Sequence, residues 1–319
     1  MHFDIFNGDA DGILALHQLR LHEPNPAATL VTGVKRDIKL LSKIKDIRNS
    51  NITVFDISLD SNRNTLLTLL GAHNTISYFD HHFAGTIPES PFLTTHIDPS
   101  PTVCTSLIVD KILDGKYRSW AVAGAFGDNL HDSANKAATS LSLNAEKTSQ
   151  LRELGELLNY NGYGAELSDL HFAPDDLYRA IRPYNDPFSF LAESGDIASL
   201  RQGFKEDMIL ATKQKEMDPG KKNRVYTFPN APWARRVAGV FSNLRAREKK
   251  DAAHALIVEN NDGSLRISVR APLNNMKNAD TLCLSFPTGG GRTAAAGINH
   301  LPAAMLDDFL ERFQITFSA

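Results

Sequence analysis

The chain opens with the stretch HFDIFNGDADGI, residues 2–13, in which a short apolar run meets a turn rich in Gly, Asp and Asn. Three more β-branched or aromatic runs follow within the first eighty residues, and a helical pattern separates each run from the next. The predicted strands are His2–Phe6, Thr29–Thr32, Ile52–Ile57 and Thr75–Phe79, and the predicted helices lie around Leu14–Leu21, Ile38–Ile47 and Arg63–Leu70. This alternation predicts βαβ units and a parallel sheet, and therefore an α/β domain.

The polar residues directly after these strands are the first candidates for a functional site. Ligands of an open parallel sheet bind beyond the carboxyl ends of its strands. That rule selects Asn7–Gly12, Asp56 and Asp80–His82, because each of these segments follows a predicted strand.

The rest of the chain predicts more helices and then a second α/β unit. Helical spacing is clearest over Val103–Leu113, Ser119–Phe126 and Ile197–Met217, and a Pro, Gly and Lys cluster at Asp218–Lys222 is typical of a linker or turn. The second unit has predicted strands at Arg224–Phe228, His254–Glu259 and Leu265–Arg270, and predicted helices at Arg235–Arg247 and Ala303–Phe313. We therefore expect an N-terminal parallel-sheet domain over residues 1–185, a linker over 186–222 and a smaller C-terminal α/β domain over 223–319.

Composition agrees with a globular protein of two domains. The chain has 319 residues, of which 42% are hydrophobic and 22% are charged. It has neither an apolar run long enough for a membrane span nor an N-terminal signal pattern, so we expect a cytoplasmic protein without a membrane partner. The two cysteines, Cys104 and Cys283, have no CxxC spacing and are predicted to be buried thiols.

Charge is unevenly distributed along the chain. The net charge of −3 argues against a protein that coats long duplex DNA, because such binding depends on neutralising many phosphates. Residues 221–319 contain 14 Lys and Arg against 8 Asp and Glu, whereas residues 1–220 contain 20 against 29. An acidic metal site and a basic phosphate-binding module would produce this asymmetry, and unequal solvated surface would produce it as well.

Four segments together carry the candidate chemistry: Asp9-Ala10-Asp11-Gly12, the strand-end Asp56, Asp80-His81-His82 and Gly127-Asp128-Asn129. Each has an ordinary structural alternative, since a lone Asp often caps a helix and a lone His often makes only a hydrogen bond. Carboxylates and imidazoles grouped at the end of one sheet are, however, the ligands of dinuclear Mn²⁺ or Mg²⁺ hydrolases.

The order and spacing of these segments resemble the four motifs of the DHH phosphoesterase superfamily. That superfamily includes RecJ exonucleases, NrnA-type oligoribonucleases, cyclic-dinucleotide phosphodiesterases and family II pyrophosphatases. The C-terminal run Phe286–Gly297, with its three consecutive glycines, is similar to the glycine-rich signature of the DHH-associated domain in RecJ and NrnA relatives. The resemblance implies a DHH catalytic, metal-binding domain followed by a DHH-associated substrate-binding domain.

The resemblance also implies roles for individual residues. It implies two cations, Mn²⁺ or Mg²⁺, one near Asp9 and the other near Asp11 and His81, with Asp56 between them and Asp128 completing the coordination. His82 would lie close to the scissile phosphate as a hydrogen-bond donor or proton source, and Asp80 would orient an imidazole. Three positions depart from the family pattern: Ile5 replaces a metal-binding histidine, Asn7 stands where RecJ relatives have an Asp, and Arg292 replaces a histidine.

In the C-terminal unit, the implied substrate-binding residues are Arg270, Gly289, Gly290, Gly291 and Arg292. The glycines can bring backbone N–H groups close to a phosphate, although a run of glycines is also typical of a flexible turn.

The expected activity is hydrolysis of short oligonucleotides to mononucleotides by an exonuclease or oligoribonuclease. Two alternatives remain: the same chemistry on a dinucleotide messenger, a nucleotide phosphomonoester or a polyphosphate, and an inactive scaffold that binds nucleic acid. The oligomeric state is left open, with a homodimer among the alternatives.

Overall fold

A computed structural model describes residues 1–217 and 221–318. The chain divides into two compact units, Met1–Gly203 and Phe204–Ala319. No helix within the described residues is both long enough and apolar enough to cross a membrane.

The first unit is built on a five-stranded parallel sheet. Its strands are β1 (His2–Phe6), β2 (Thr29–Val31), β3 (Asn51–Phe55), β4 (Thr75–Asp80) and β5 (Leu93–Ile97). They are ordered β2-β1-β3-β4-β5. Most residues of β1 and β3 are buried, as expected when helices cover both faces of a parallel sheet. All five strands therefore direct their carboxyl ends to one edge, where the selected polar segments lie.

The helices of the first unit follow the strands and then form a helical region after β5. They are α1 (Ala10–His22), α2 (Leu59–Gly71), α3 (Thr105–Ile112), α4 (Arg118–Gly127), α5 (His131–Thr139), α6 (Ala145–Gly162), α7 (Pro174–Ile181) and α8 (Pro187–Glu193), with 3-10 helices at Leu40–Ile44 and Leu167–Asp169. Helix α9 (Gly195–Thr212) begins in the first unit and ends in the second. Every residue of α1 from Ala10 to Arg20 is buried, because α3, α4 and α6 all pack against this helix. The N-terminus of α1, with Asp9 and Asp11, is thereby enclosed.

The second unit has a mixed sheet of five strands. These are β6 (Arg224–Phe228), β7 (His254–Glu259), β8 (Leu265–Arg270), β9 (Gly289–Arg292) and β10 (Ala295–Leu301), in the order β6-β7-β8-β10-β9. Only β6 and β7 pair in parallel. The helices are α10 (Pro232–Glu248), α11 (Ala279–Leu284) and α12 (Leu306–Thr316), with a 3-10 helix at Ala303–Met305. Val269, Ile298, Phe309 and Phe313 are fully buried in its core. The predicted α/β class is confirmed for both units.

Several elements differ from the sequence prediction. The helix expected over Ile38–Ile47 is a short 3-10 helix, held by the Asn62 side chain, which accepts from the Leu41 N–H and donates to the Ile38 carbonyl. Helix α9 ends at Thr212 instead of Met217, because Glu216 already pairs with Tyr226 as a β-bridge. Strand β5 was missed. Asp218–Gly220, part of the predicted linker or turn, lie outside the described residues.

Both cysteines are free and buried, as predicted.

Candidate metal centre

The loop after β1 places Asp9 and Asp11 at the start of α1. Asp9 is the N-cap of this helix, and its Oδ1 accepts a hydrogen bond from the Gly12 N–H at 3.1 Å. The helix-capping alternative is therefore realised at Asp9. The loop also packs tightly, since a Cβ on Gly8 would lie 1.9 Å from the Gly33 carbonyl oxygen. Only glycine fits at that position without moving the neighbouring chain.

Asp11 is held by the first turn of α3. Its two carboxylate oxygens accept the backbone N–H groups of Thr105 and Ser106, both at 2.7 Å, and it is 1% exposed. The first N–H groups of a helix have no partner within the helix and attract negative charge. The start of α3 therefore fixes the Asp11 carboxylate in place.

Asp56 follows β3 in a left-handed conformation, with φ of 59°. This conformation is uncommon outside glycine, although Asp and Asn tolerate it better than most residues. The backbone N–H of Asp56 donates to the Phe79 carbonyl, and Thr105 Oγ1 donates to Asp56 Oδ1 at 3.0 Å. The buried carboxylate is thus turned toward His81, whose Nε2 lies 3.3 Å from Asp56 Oδ1.

The two histidines after β4 are oriented by different acceptors. His81 Nδ1 lies 3.0 Å from the Val103 carbonyl, to which it must donate, so Nε2 carries the lone pair that a metal requires. His82 Nδ1 lies 2.7 Å from Asp80 Oδ1, which also accepts the His81 backbone N–H. Asp80 is fully buried, and its Oδ2 has no hydrogen-bond partner among the described residues.

Asp128 approaches the same point from the end of α4. Its Oδ2 lies 3.8 Å from His81 Nε2. Two sets of three residues each offer ligand atoms within 4.8 Å of one another: Asp11, His81 and Asp128, and Asp56, His81 and His82. The structure thus brings four of the five predicted metal ligands together, Asp11, Asp56, His81 and Asp128, and it adds His82 to the residues whose geometry suits a metal.

The electrostatics of this cluster fit a divalent cation. Burial and the carboxylates of Asp11, Asp9 and Asp128 raise the pKa of Asp56 well above its ordinary value. Burial and the Asp11 carboxylate likewise raise the pKa of Asp128 to about 6. Both shifts express a concentration of negative charge that a bound cation would relieve. Carboxylate oxygens with an imidazole nitrogen are ligands suited to Mn²⁺ or Mg²⁺.

Asp9 has a different partner, Lys35, which the sequence analysis missed. Lys35 Nζ lies 2.5 Å from Asp9 Oδ2, 3.0 Å from Asn159 Oδ1 and 3.7 Å from Asp128 Oδ1. Burial opposes the charge of Lys35, but Asp9, Tyr163 and Asp128 together outweigh burial and hold the pKa of Lys35 well above its ordinary value. Burial alone would raise the pKa of Asp9, but the nearby Lys35 ammonium lowers it below its ordinary value. Lys35 lies shortly after the second predicted strand. The rule that ligand-binding residues follow the carboxyl ends of parallel strands could therefore have identified Lys35 if basic residues had been included.

The predicted substrate-binding residues lie in the second unit. Arg270 Nε donates to Asn243 Oδ1 at 2.8 Å, and Arg292 is exposed. The three glycines form edge strand β9 and not a flexible turn. A Cβ on Gly289 would lie 1.7 Å from the Cys283 carbonyl oxygen, and the Gly289 N–H already donates to the Phe286 carbonyl. Gly290, by contrast, faces open space.

No protein-family model and no curated protein matches this chain. Solved structures match it along its whole length. RecJ of Thermus thermophilus, in complex with Mn²⁺, is 18% identical with a TM-score of 0.60, over 99% of this chain and 51% of that chain. This chain therefore spans about half the length of that RecJ.

Two other solved structures are matched over most of their own length. The DHH domain of a member of the S1p family of ribosomal proteins is 13% identical with a TM-score of 0.62, over 99% of this chain and 86% of that chain. The pGpG-specific phosphodiesterase PggH from Vibrio cholerae is 12% identical with a TM-score of 0.60, over 100% of this chain and 99% of that chain. The chain therefore has the DHH fold, and the motifs by which its sequence resembles the DHH phosphoesterase superfamily meet at one site of that fold.

Proposed function

We propose that this chain is a divalent-metal phosphoesterase that hydrolyses short oligonucleotides to mononucleotides. The observation that carries the proposal is the convergence of Asp11, Asp56, His81 and Asp128 at the carboxyl edge of the parallel sheet. When bound there, Mn²⁺ or Mg²⁺ would supply positive charge for the phosphate oxygens and lower the pKa of an attacking water.

The chain's own residues would perform the remaining steps. The Val103 carbonyl fixes the ring of His81, and the Asp80 carboxylate fixes that of His82. The His82 side chain is 44% exposed, so its Nε2 is accessible to a substrate. In our proposal His82 donates a hydrogen bond or a proton to the phosphate that is cleaved, and Asp80 stabilises the charged imidazole.

Substrate binding is proposed for residues 223–319, through Arg270, Arg292 and the backbone around Gly290. The excess of Lys and Arg in this region supports the assignment. Because that excess is small, it favours substrates with few phosphates over long polymers.

A dinucleotide messenger is the second candidate substrate. The support for it is the similar fold of the pGpG-specific phosphodiesterase, which this chain matches over nearly the whole length of both proteins. Linear dinucleotides and short oligonucleotides share one chemistry, so the two candidates differ in substrate length alone.

The test is a substrate screen with and without Mn²⁺. Dinucleotides, oligonucleotides of increasing length, cyclic dinucleotides, a nucleotide monophosphate and polyphosphate would be compared by kcat/KM. We expect the shortest oligonucleotides to be the best substrates and chelator to stop the reaction. Asp56→Asn should abolish hydrolysis, whereas Asp46→Asn, which changes an exposed carboxylate, should leave it intact. Full activity of Asp56→Asn, or in excess chelator, would contradict the proposal.

A further inference from the structure

Asp9 differs from the other carboxylates of the site because one of its oxygens is in close contact with a lysine ammonium. Oδ1 accepts the Gly12 N–H at the start of α1, and Oδ2 lies 2.5 Å from the ammonium of Lys35. Within the described residues, Asp9 belongs to neither set of side chains whose ligand atoms are close enough to share an ion. The side of the site next to Asp9 therefore holds a cation that the chain itself provides.

The position of Lys35 is determined at both ends of the residue. Its backbone N–H donates to the Gly162 carbonyl at 3.0 Å, and its own carbonyl accepts from Asn7 Nδ2 at 3.2 Å. The ammonium then meets oxygens of Asp9, Asn159 and Asp128, and it lies 5.4 Å from the centre of the Tyr163 ring. A surface lysine samples many conformers, whereas this one is held at its backbone and at its ammonium.

Lys35 contacts Asp9 and Asp128, two of the carboxylates that the sequence resemblance assigns to metal ions. A divalent cation at Asp9 would lie close to the ammonium, and two cations beside one carboxylate repel each other. Ile5 of β1, which stands where the family pattern has a metal-binding histidine, is apolar and fully buried and so offers no ligand. Without Asp9, the side chains of Asp11, His81 and Asp128 still offer three ligand atoms within 4.8 Å of one another.

We propose that the Lys35 ammonium takes the place of one of two divalent cations, so that the site binds a single metal ion beside a fixed positive charge. The inference rests on the metal-dependent function proposed above and revises the number of ions expected from the sequence. Lys35 neutralises Asp9, contributes positive charge near Asp128 and leaves one ion to be recruited from solution.

The test is the number of Mn²⁺ ions bound per chain, measured by equilibrium dialysis and by the electron paramagnetic resonance spectrum of the bound ion. The wild-type protein should bind one Mn²⁺ and show the hyperfine pattern of an isolated ion. Lys35→Met should bind a second Mn²⁺ and show the altered spectrum of two exchange-coupled ions. Lys35→Arg, which keeps the charge, should bind one.

Lys43→Met is the matched control, because Lys43 lies nearby in sequence and contacts the Thr32 carbonyl and Asp37 instead of the site. It should bind one Mn²⁺. Two coupled ions in the wild-type protein would overturn the inference and leave the proposed hydrolase intact. A thermally stable Lys35→Met that still binds one ion would also overturn it. If the wild-type protein bound no Mn²⁺, both the inference and the proposed function would fail.

Discussion

Replacing Thr105 with valine isolates one contact that positions the candidate metal ligands. Thr105 is fully buried, its backbone N–H holds Asp11, and its hydroxyl donates to Asp56 Oδ1 at 3.0 Å. Valine has nearly the same shape, so Thr105→Val keeps the backbone contact to Asp11 and removes only the hydroxyl. The Asp56 carboxylate then loses a donor in a site where its pKa is already raised by burial and neighbouring charge.

The size of the expected effect on Mn²⁺ binding depends on the negative charge of Asp56, which accepts this hydrogen bond. A hydrogen bond to a charged group contributes about 1.5–3 kcal/mol, which corresponds to a factor of roughly ten to a hundred in an equilibrium constant. Loss of a contact that orients a metal ligand has effects of about the same size on affinity or activity. We therefore expect Thr105→Val to weaken Mn²⁺ binding by roughly ten- to a hundredfold.

The assay is a Mn²⁺ titration of wild type and Thr105→Val, with kcat/KM on a dinucleotide measured in parallel. Thr68→Val is the matched control, since Thr68 donates to the Asn64 carbonyl on the exposed side of α2. It should leave Mn²⁺ affinity unchanged. A folded Thr105→Val protein with wild-type affinity would refute the argument that this hydroxyl positions Asp56.

Three further predictions concern substrate binding and stability. Arg292→Ala should lower kcat/KM on a dinucleotide by about ten- to a hundredfold, mostly through a higher KM, and leave kcat/KM on a small phosphate ester unchanged. Equal losses on both substrates would contradict a substrate-binding role. Arg20→Ala should lower the free energy of unfolding, measured in urea, by about 3–5 kcal/mol because it removes the buried arginine partner of Asp4. The control Arg152→Ala removes an exposed ion pair and should lower the free energy of unfolding by less than about 1 kcal/mol. Burial lowers the pKa of His17 to about 4, so the unfolded chain takes up a proton at a higher pH than the folded chain does. The free energy of unfolding should therefore fall by about 2 kcal/mol between pH 7 and pH 5 because of His17. In His17→Gln this contribution to the pH dependence should be absent.

Local sequence pattern was sufficient for many of the elements. Strands β1, β6, β7 and β8 have the predicted bounds, because runs of β-branched and aromatic residues between polar turns identify a buried strand directly. The fold class followed from the alternation of strands and helices. The candidate metal cluster could also be anticipated, since the carboxyl ends of parallel strands must meet at one edge.

Other elements could not be predicted from local sequence pattern. Strand β5 is only partly buried, so its sequence lacks a strong apolar run. The consecutive glycines favour a turn by composition, yet pairing with β10 and close packing against Cys283 make them a strand. In both cases neighbouring chain segments outweigh local preference.

The sequence by itself determined the α/β class, the order of the motifs and which acidic and imidazole side chains could meet. Only the tertiary structure decided which of those side chains are already paired. Thr105 reaches Asp56, and Lys35 reaches Asp9, across long stretches of chain. A hydrogen bond or ion pair depends on distances of a few ångströms, and sequence spacing specifies such distances within a turn of helix but not between separate elements of a fold.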